Sequence, residues 1–237
     1  MKKTLAIILA ISLLCMMAVG TTLTYFTDED SDVNTMTVGK VGITQKINGQ
    51  NTGVVATTKL FPAVINGTTI NNAVDMKVVA TLEDGSEDAY VRTVYAFEMM
   101  KVGNDWVDPL KVEEKNGNEV ATIYCVADQA LKPTGVTITK GSTTYVIYVS
   151  ATAQLTNETP AVTSMESLKQ IYLGSQVGNE FADYVGNSYE VLVLSQAVQT
   201  QGFAGAEGKT AAQVALDTAF GEITVANADE IAGWFNN

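Results

Sequence analysis

Residues 74–82 read Val74-Asp75-Met76-Lys77-Val78-Val79-Ala80-Thr81-Leu82, and the alternation in this stretch decides the fold class. Val74, Met76, Val78, Ala80 and Leu82 share one face; Asp75, Lys77 and Thr81 fall on the other, and Glu83 continues the wet side. A period of two with one apolar face predicts a half-buried β-strand. Working outward, Val91, Thr93, Tyr95, Phe97 and Met99 repeat the pattern, as do Tyr145, Ile147, Val149, Ala151, Ala153 and Leu155. Val191-Leu192-Val193-Leu194 is apolar on both faces, which predicts a central strand. Turn pairs separate these runs: Asn48-Gly49, Asn66-Gly67, Asp84-Gly85, Gly103-Asn104-Asp105, Asn116-Gly117 and Lys140-Gly141. The expected fold is all-β, an antiparallel β-sandwich with short helical insertions.

Two insertions are expected. Thr163 or Ser164 caps a helix over Met165–Leu173, with Glu166 at the capping-box position and Gly174 as the stop, and Val177, Phe181, Tyr184 and Val185 extend the helical region to about residue 186. The second runs over residues 210–221: Thr210 caps Ala211–Phe220, Gln213 completes the box, and Gly221 ends it. Ala212, Ala215, Leu216 and Phe220 make a narrow apolar stripe suited to packing on the sandwich.

Composition narrows the function. Of 237 residues, 46% are hydrophobic, enough for a sizeable core, and only 17% are charged. Thr, Asn, Ser, Gln and Gly must therefore supply much of the surface, as in many exported β-proteins. The net charge of −12 repels phosphate backbones and excludes a nucleic-acid partner. There is no histidine, which removes Ser-His-Asp and Cys-His catalysis, imidazole metal sites and the HExxH pair. No catalytic residue, cofactor site or metal site is assigned.

Met1-Lys2-Lys3 followed by an uncharged run from Thr4 to Gly20 reads as an export signal. Thr22 and Thr24 stand at −3 and −1 of a cut before Tyr25, so residues 1–24 are the expected signal peptide and signal peptidase a partner during export. A retained anchor is the competing reading of the same run. After the cut, 12 basic against 26 acidic residues leave −14, with no membrane association expected. Cys15 leaves with the signal. Cys125, in the apolar strand pattern Ile123-Tyr124-Cys125-Val126, then reads as an inert buried thiol or as one half of an intermolecular disulfide. The C-terminus carries no LPxTG motif, so retention at the cell is expected to be non-covalent.

Three motifs fail on spacing. Gly208-Lys209-Thr210 imitates a P-loop, but Phe203 stands where the first glycine belongs. Asp28, Asp30 and Asp32 imitate the opening of a calcium loop, but Val33 and Gly39 occupy the positions of its glycine and bidentate glutamate. This acidic leader is read as solvated, with weak calcium bridging between subunits as the alternative. The sequons at Asn66 and Asn157 carry no weight in a chain this rich in Asn and Thr.

The start Tyr25-Phe26-Thr27-Asp28, leading into Asn34-Thr35-Met36-Thr37-Val38-Gly39-Lys40-Val41-Gly42-Ile43, resembles the TasA/camelysin family of proteins with a SipW-type signal peptide. Gly85-Ser86-Glu87-Asp88-Ala89-Tyr90-Val91-Arg92 resembles its second motif. Gln196-Ala197-Val198-Gln199-Thr200-Gln201-Gly202-Phe203, with the Ala-rich helix to Phe220-Gly221, resembles its third. Residues 103–187 carry no such likeness. The resemblance implies a jelly-roll-like sandwich forming extracellular fibres in a biofilm matrix, with the N-terminal segment donated as a strand to the next subunit. The peptidase activity described for camelysin is not carried over, because the chain lacks histidine.

The residues themselves permit strand donation. Residues 25–47 form an N-terminal segment ahead of a sandwich domain, 48–237, and the strand-like part carries Val33, Met36, Val38, Val41, Ile43 and Ile47, too apolar for a solvated tail. Gly39 and Gly42 predict a bulge. Pairing in cis gives a closed monomer and pairing in trans an open chain of copies; the sequence leaves both open. The expected partners are copies of the chain itself. A secreted accessory protein that binds polysaccharide or other matrix proteins is the second reading.

Overall fold

A computed structural model of the chain describes residues 27–30, 41–50, 58–66, 69–115, 117–158, 161–175, 177 and 179–235. The strands are β1 (Thr27–Asp30), β2 (Ile43–Ile47), β3 (Thr58–Lys59), β4 (Val64–Asn66), β5 (Thr69–Asn71), β6 (Val74–Leu82), β7 (Ala89–Glu98), β8 (Met100–Val102), β9 (Asp105–Val107), β10 (Glu113–Lys115), β11 (Asn118–Val120), β12 (Ile123–Val126), β13 (Lys132–Lys140), β14 (Thr143–Val149), β15 (Ala153–Leu155), β16 (Ser164–Leu173), β17 (Ser188–Tyr189) and β18 (Val191–Gln199). Helix α1 covers Ala211–Phe220 and α2 covers Ala228–Trp234; Asn179–Tyr184 and Val225–Asn227 are 3-10 turns.

Two antiparallel sheets form the sandwich. The first has the order β1-β18-β7-β14-β13, with β15 also on β7; the second has the order β12-β16-β6-β2. Between them, Tyr95, Phe97, Val191 and Val193 meet Met76, Val78, Leu168 and Ile171. Further along, Val91, Leu155 and Ala197 meet Ile43, Ala80, Leu82 and Met165. The predicted apolar face of residues 74–82 is thus the core face of β6. Within this layer the Tyr95 hydroxyl makes a buried polar contact with Ser167 Oγ.

The first sheet is buried on its second face as well. Val94, Ala96, Ile147, Leu192 and Leu194 lie under Ile231 and Phe235 of the C-terminal segment. Val198 lies under Ala215 and Leu216 of α1. This third, helical layer explains why residues 191–194 are apolar on both faces. Helix α1 is the expected one: Thr210 accepts from Gln213 N–H, Gln213 accepts from Thr210 N–H, and Gly221 follows at φ 91°.

The helix expected over 165–173 is instead strand β16, the longest of the second sheet. The cause is bulging. The register against β6 slips between Glu166 and Leu168 and again between Leu168 and Gln170. Each slip shifts the side-chain parity, so the buried apolar positions fall at Met165, Leu168, Ile171 and Leu173, a spacing that imitates a helix, with Ser167 buried between the first two. Gly174 stops no helix. A Cβ there would stand 2.9 Å from the Ala121 carbonyl oxygen and 3.0 Å from Tyr124 Cε2, so glycine admits the close approach of the 121–124 segment. In the rest of the expected helical region, Asn179–Tyr184 forms a 3-10 turn whose Phe181 and Tyr184 pack on the core.

The alternation expected through 145–155 also breaks. Tyr145 and Ile147 face the helical layer, whereas Ala153 and Leu155 face the second sheet. Between β14 and β15, Ser150 replaces the lost ladder: its Oγ accepts from Thr93 N–H at 2.9 Å while its own N–H donates to Thr93 O at 2.9 Å.

Candidate functional site: the N-terminal edge and the polar cluster behind it

The N-terminal strands end both sheets on one side of the sandwich: β1 borders β18 and β2 borders β6. Strand β1 runs antiparallel, with Thr27 opposite Val198 and Asp30 opposite Ser195. Strand β2 sets Ile43 opposite Leu82 and Ile47 opposite Val78. Asn48 and Gly49, both at positive φ, turn the chain at the end of β2. Asn48 then closes onto β6, its Nδ2 donating to Asp75 O and its Oδ1 accepting from Lys77 N–H.

The six residues assigned to the subunit-interaction strand divide. Val33, Met36 and Val38 lie outside the described residues, as do Thr22, Thr24 and Tyr25 of the expected cleavage site. Val41, Ile43 and Ile47 are buried in the sandwich core, at 0%, 1% and 5% exposure. Gln45, also inward, donates from Nε2 to Val193 O across the sandwich at 3.3 Å. Within one chain, therefore, residues 41–47 belong to the folded core.

The opposite edge is defended. Strand β13 carries Pro133, a register shift between Pro133 and Thr137, and lysines at both ends. Proline, bulges and lysine all deter edge-to-edge pairing. Strand β12, the other border on that side, is four residues long.

Behind the N-terminal edge the three stretches that carry the family resemblance converge. Ser86 Oγ accepts from Gly42 N–H at 2.9 Å and donates to Gly42 O at 3.1 Å. Thr200 N–H donates to Asp88 O at 3.1 Å. Asp88 also accepts from Thr156 Oγ1 at 2.8 Å and from Asn157 N–H at 3.2 Å. Arg92, 4% exposed, donates to Gln196 Oε1 at 2.7 Å, to Asp217 Oδ1 at 2.8 Å and to the Gly221 carbonyl at 3.1 Å. The guanidinium thus meets the carbonyl end of α1, where a cation is favoured by the helix dipole.

Lys209, from the failed P-loop pattern, donates to Asp217 and Glu222 at 2.7 and 2.9 Å. Its hydrogen bonds to these carboxylates hold the ammonium above the ordinary lysine value. Its place in the fold is a strut beside the helix. No local spacing marks Arg92, Gln196 and Asp217 as a set; an arginine within a largely apolar strand is the signal the sequence offers.

The titratable groups of the core are pushed toward their neutral forms. Burial raises the Tyr189 hydroxyl well above its ordinary value, and burial, with the nearby Asp108 carboxylate, pushes the Cys125 thiol up to about 12. Cys125 is half-buried on β12 and packs against the inter-sheet core. Among the described residues, no group of three or more Cys, Asp or Glu side chains is arranged to hold a metal ion. No helix among them is long and apolar enough to cross a membrane.

Comparison with protein-family models, curated proteins and solved structures finds no significant match.

Proposed function

We propose that this chain is a secreted, non-catalytic structural protein of a bacterial biofilm matrix or cell surface, a TasA-like fibre subunit with a jelly-roll-like sandwich. The observation that carries the reading is the N-terminal edge: a four-residue strand, β1, closes the β18 border of a sheet whose other border is guarded against pairing. A strand so placed exchanges its own sheet for that of a neighbour at little cost, because the backbone ladder is the same in both. The convergence of the three family-like stretches on one region supports the same reading, since residues far apart in sequence serve one structural unit there.

The burial of Val41, Ile43 and Ile47 refines the mechanism. Donation of residues 41–47 would open the sandwich core, so the exchanged element is the segment ahead of Val41. Negative-stain microscopy of the secreted chain and of a variant lacking residues 25–40 tests this. Fibres are expected from the first, and a folded monomer from the second. Fibres of equal length from both would reject strand donation.

The second reading, a monomeric or cell-associated accessory protein, is favoured by the closure of β2 on β6 within one chain. A single monomeric species at high concentration in analytical ultracentrifugation would favour it over the fibre.

A further inference from the structure

A cleft of about 590 Å³ opens at the end of the sandwich where the β10–β11 hairpin stands beside the second sheet. Its volume falls within the range of about 300–1,000 Å³ typical of small-ligand sites. Part of its lining is a cross-strand pair, Tyr124 on β12 opposite Tyr172 on β16. The two rings stack with centroids 5.2 Å apart and planes 9° from parallel. Their neighbours Ile123, Ile171 and Leu173 enter the core. Alternation therefore puts both tyrosines on the outer face.

The Tyr124 ring is fixed. Its hydroxyl accepts from Ala121 N–H at 3.0 Å, and Gly174 leaves room for its edge. Hydrogen-bonding groups accompany the aromatic pair: Asp108, Glu113, Glu114, Asn118 and Thr122 line the same cleft. Lys111 is the one cation among the described residues of the lining, 3.7 Å from Glu113. The outer face then continues as paired polar side chains, with Gln170 donating to Asp75 at 2.7 Å and Lys77 bridged to Glu166 at 2.6 Å.

These features describe a ligand. A hexopyranose has an apolar C–H face that lies on aromatic rings and a rim of hydroxyls that both donate and accept. The cleft offers an aromatic pair with acceptors and donors around it, and its three carboxylates against one ammonium disfavour a polyanion. We propose that this cleft binds an uncharged hexopyranose chain, stacked on the Tyr124–Tyr172 pair and continuing over Gln170 and Asp75. The choice of a polymer rests on the matrix reading above; binding itself does not require assembly.

The test is calorimetric titration of the secreted chain with cellohexaose, maltohexaose and hexa-N-acetylchitohexaose, with polygalacturonate as the anionic probe. Saturable binding of at least one hexasaccharide and none of polygalacturonate is expected. Tyr172→Ala should weaken binding at least about fivefold, the loss of one aromatic contact, whereas Val225→Ser, at an exposed site in a turn of the helical layer, should not. Should Tyr172→Ala fail to fold, the double variant Glu113→Lys/Glu114→Lys, on an exposed hairpin, reverses the charge of the lining and should admit polygalacturonate. The proposal is overturned if no hexasaccharide binds, if the parent prefers polygalacturonate, if binding survives Tyr172→Ala unchanged, or if Glu113→Lys/Glu114→Lys still excludes polygalacturonate. A change in sedimentation of Tyr172→Ala with unchanged sugar binding would instead make the cleft a contact between copies. Fibre formation is scored in parallel: fibres without sugar binding reject the cleft alone, and sugar binding without fibres rejects the assembly reading alone.

Discussion

Arg92 on β7 and Asp217 on α1, 125 residues apart, form an ion pair at 2.8 Å that fastens the helical layer to the first sheet. The arginine side chain is 5% exposed and the aspartate 19%, so the pair is largely removed from water. Its guanidinium also serves Gln196 and the Gly221 carbonyl, leaving one hub between a strand, its neighbour and a helix terminus.

Removing that hub strands its partners. Arg92→Ala is expected to destabilise the fold by about 3–5 kcal/mol, as when one member of a buried pair is deleted. Asp217→Asn should cost less, because an amide oxygen still accepts from the guanidinium and Asp217 is the more exposed partner. Urea unfolding of both variants, completed as a double-mutant cycle, measures the coupling. A loss below about 1 kcal/mol for Arg92→Ala would show that the network is dispensable.

The placement of β2 makes a separate prediction. Ile43 is 1% exposed against Ala80, Leu82 and Val91 in the same core cluster. Ile43→Ala should therefore destabilise the isolated monomer by about 2–5 kcal/mol. Thermal unfolding at low concentration, where copies do not meet, checks this. An unchanged monomer would mean that β2 does not pair within its own chain in solution.

Glu98 supplies a pH dependence. Burial raises its carboxyl above the ordinary value of 4.5, opposed by the hydrogen bond from Glu190 N–H and reinforced by the Glu190 charge. With the folded value above the unfolded one, the native state holds the extra proton between the two. Stability from this group is thus fully present below 4.5 and falls as pH rises through the folded value. Glu98→Gln keeps an acceptor for Glu190 N–H and should flatten that part of the stability profile, raising stability at neutral pH. Urea midpoints measured across this range decide it; parallel profiles for parent and variant would refute it.

Cys125 should resist alkylation in the folded chain. A thiol pushed up to about 12 holds almost no thiolate at neutral pH, and thiolate is the reactive form. Iodoacetamide at neutral pH is expected to label the native chain far more slowly than the urea-unfolded chain. Equal rates would show that the thiol is open and ionisable.

The sequence by itself determined the strands whose side chains alternate and the turns that part them. Residues 74–82 and 91–97, the apolar run at 191–194 and the capped helix at 211–220 are all where local pattern puts them, because period, capping and turn chemistry act between near neighbours. Tertiary structure alone decided what breaks that pattern. The slips around Leu168 turned a helix-like spacing into strand β16, since a bulge is set by the partner strand and leaves no mark in its own residues. The break at Ser150 exchanged the faces of β14 and β15 for the same reason. The Arg92–Gln196–Asp217 hub and the Tyr124–Tyr172 pair likewise join residues that no local spacing relates. They come together only when sheet register and the helical layer bring distant side chains within hydrogen-bonding or stacking distance.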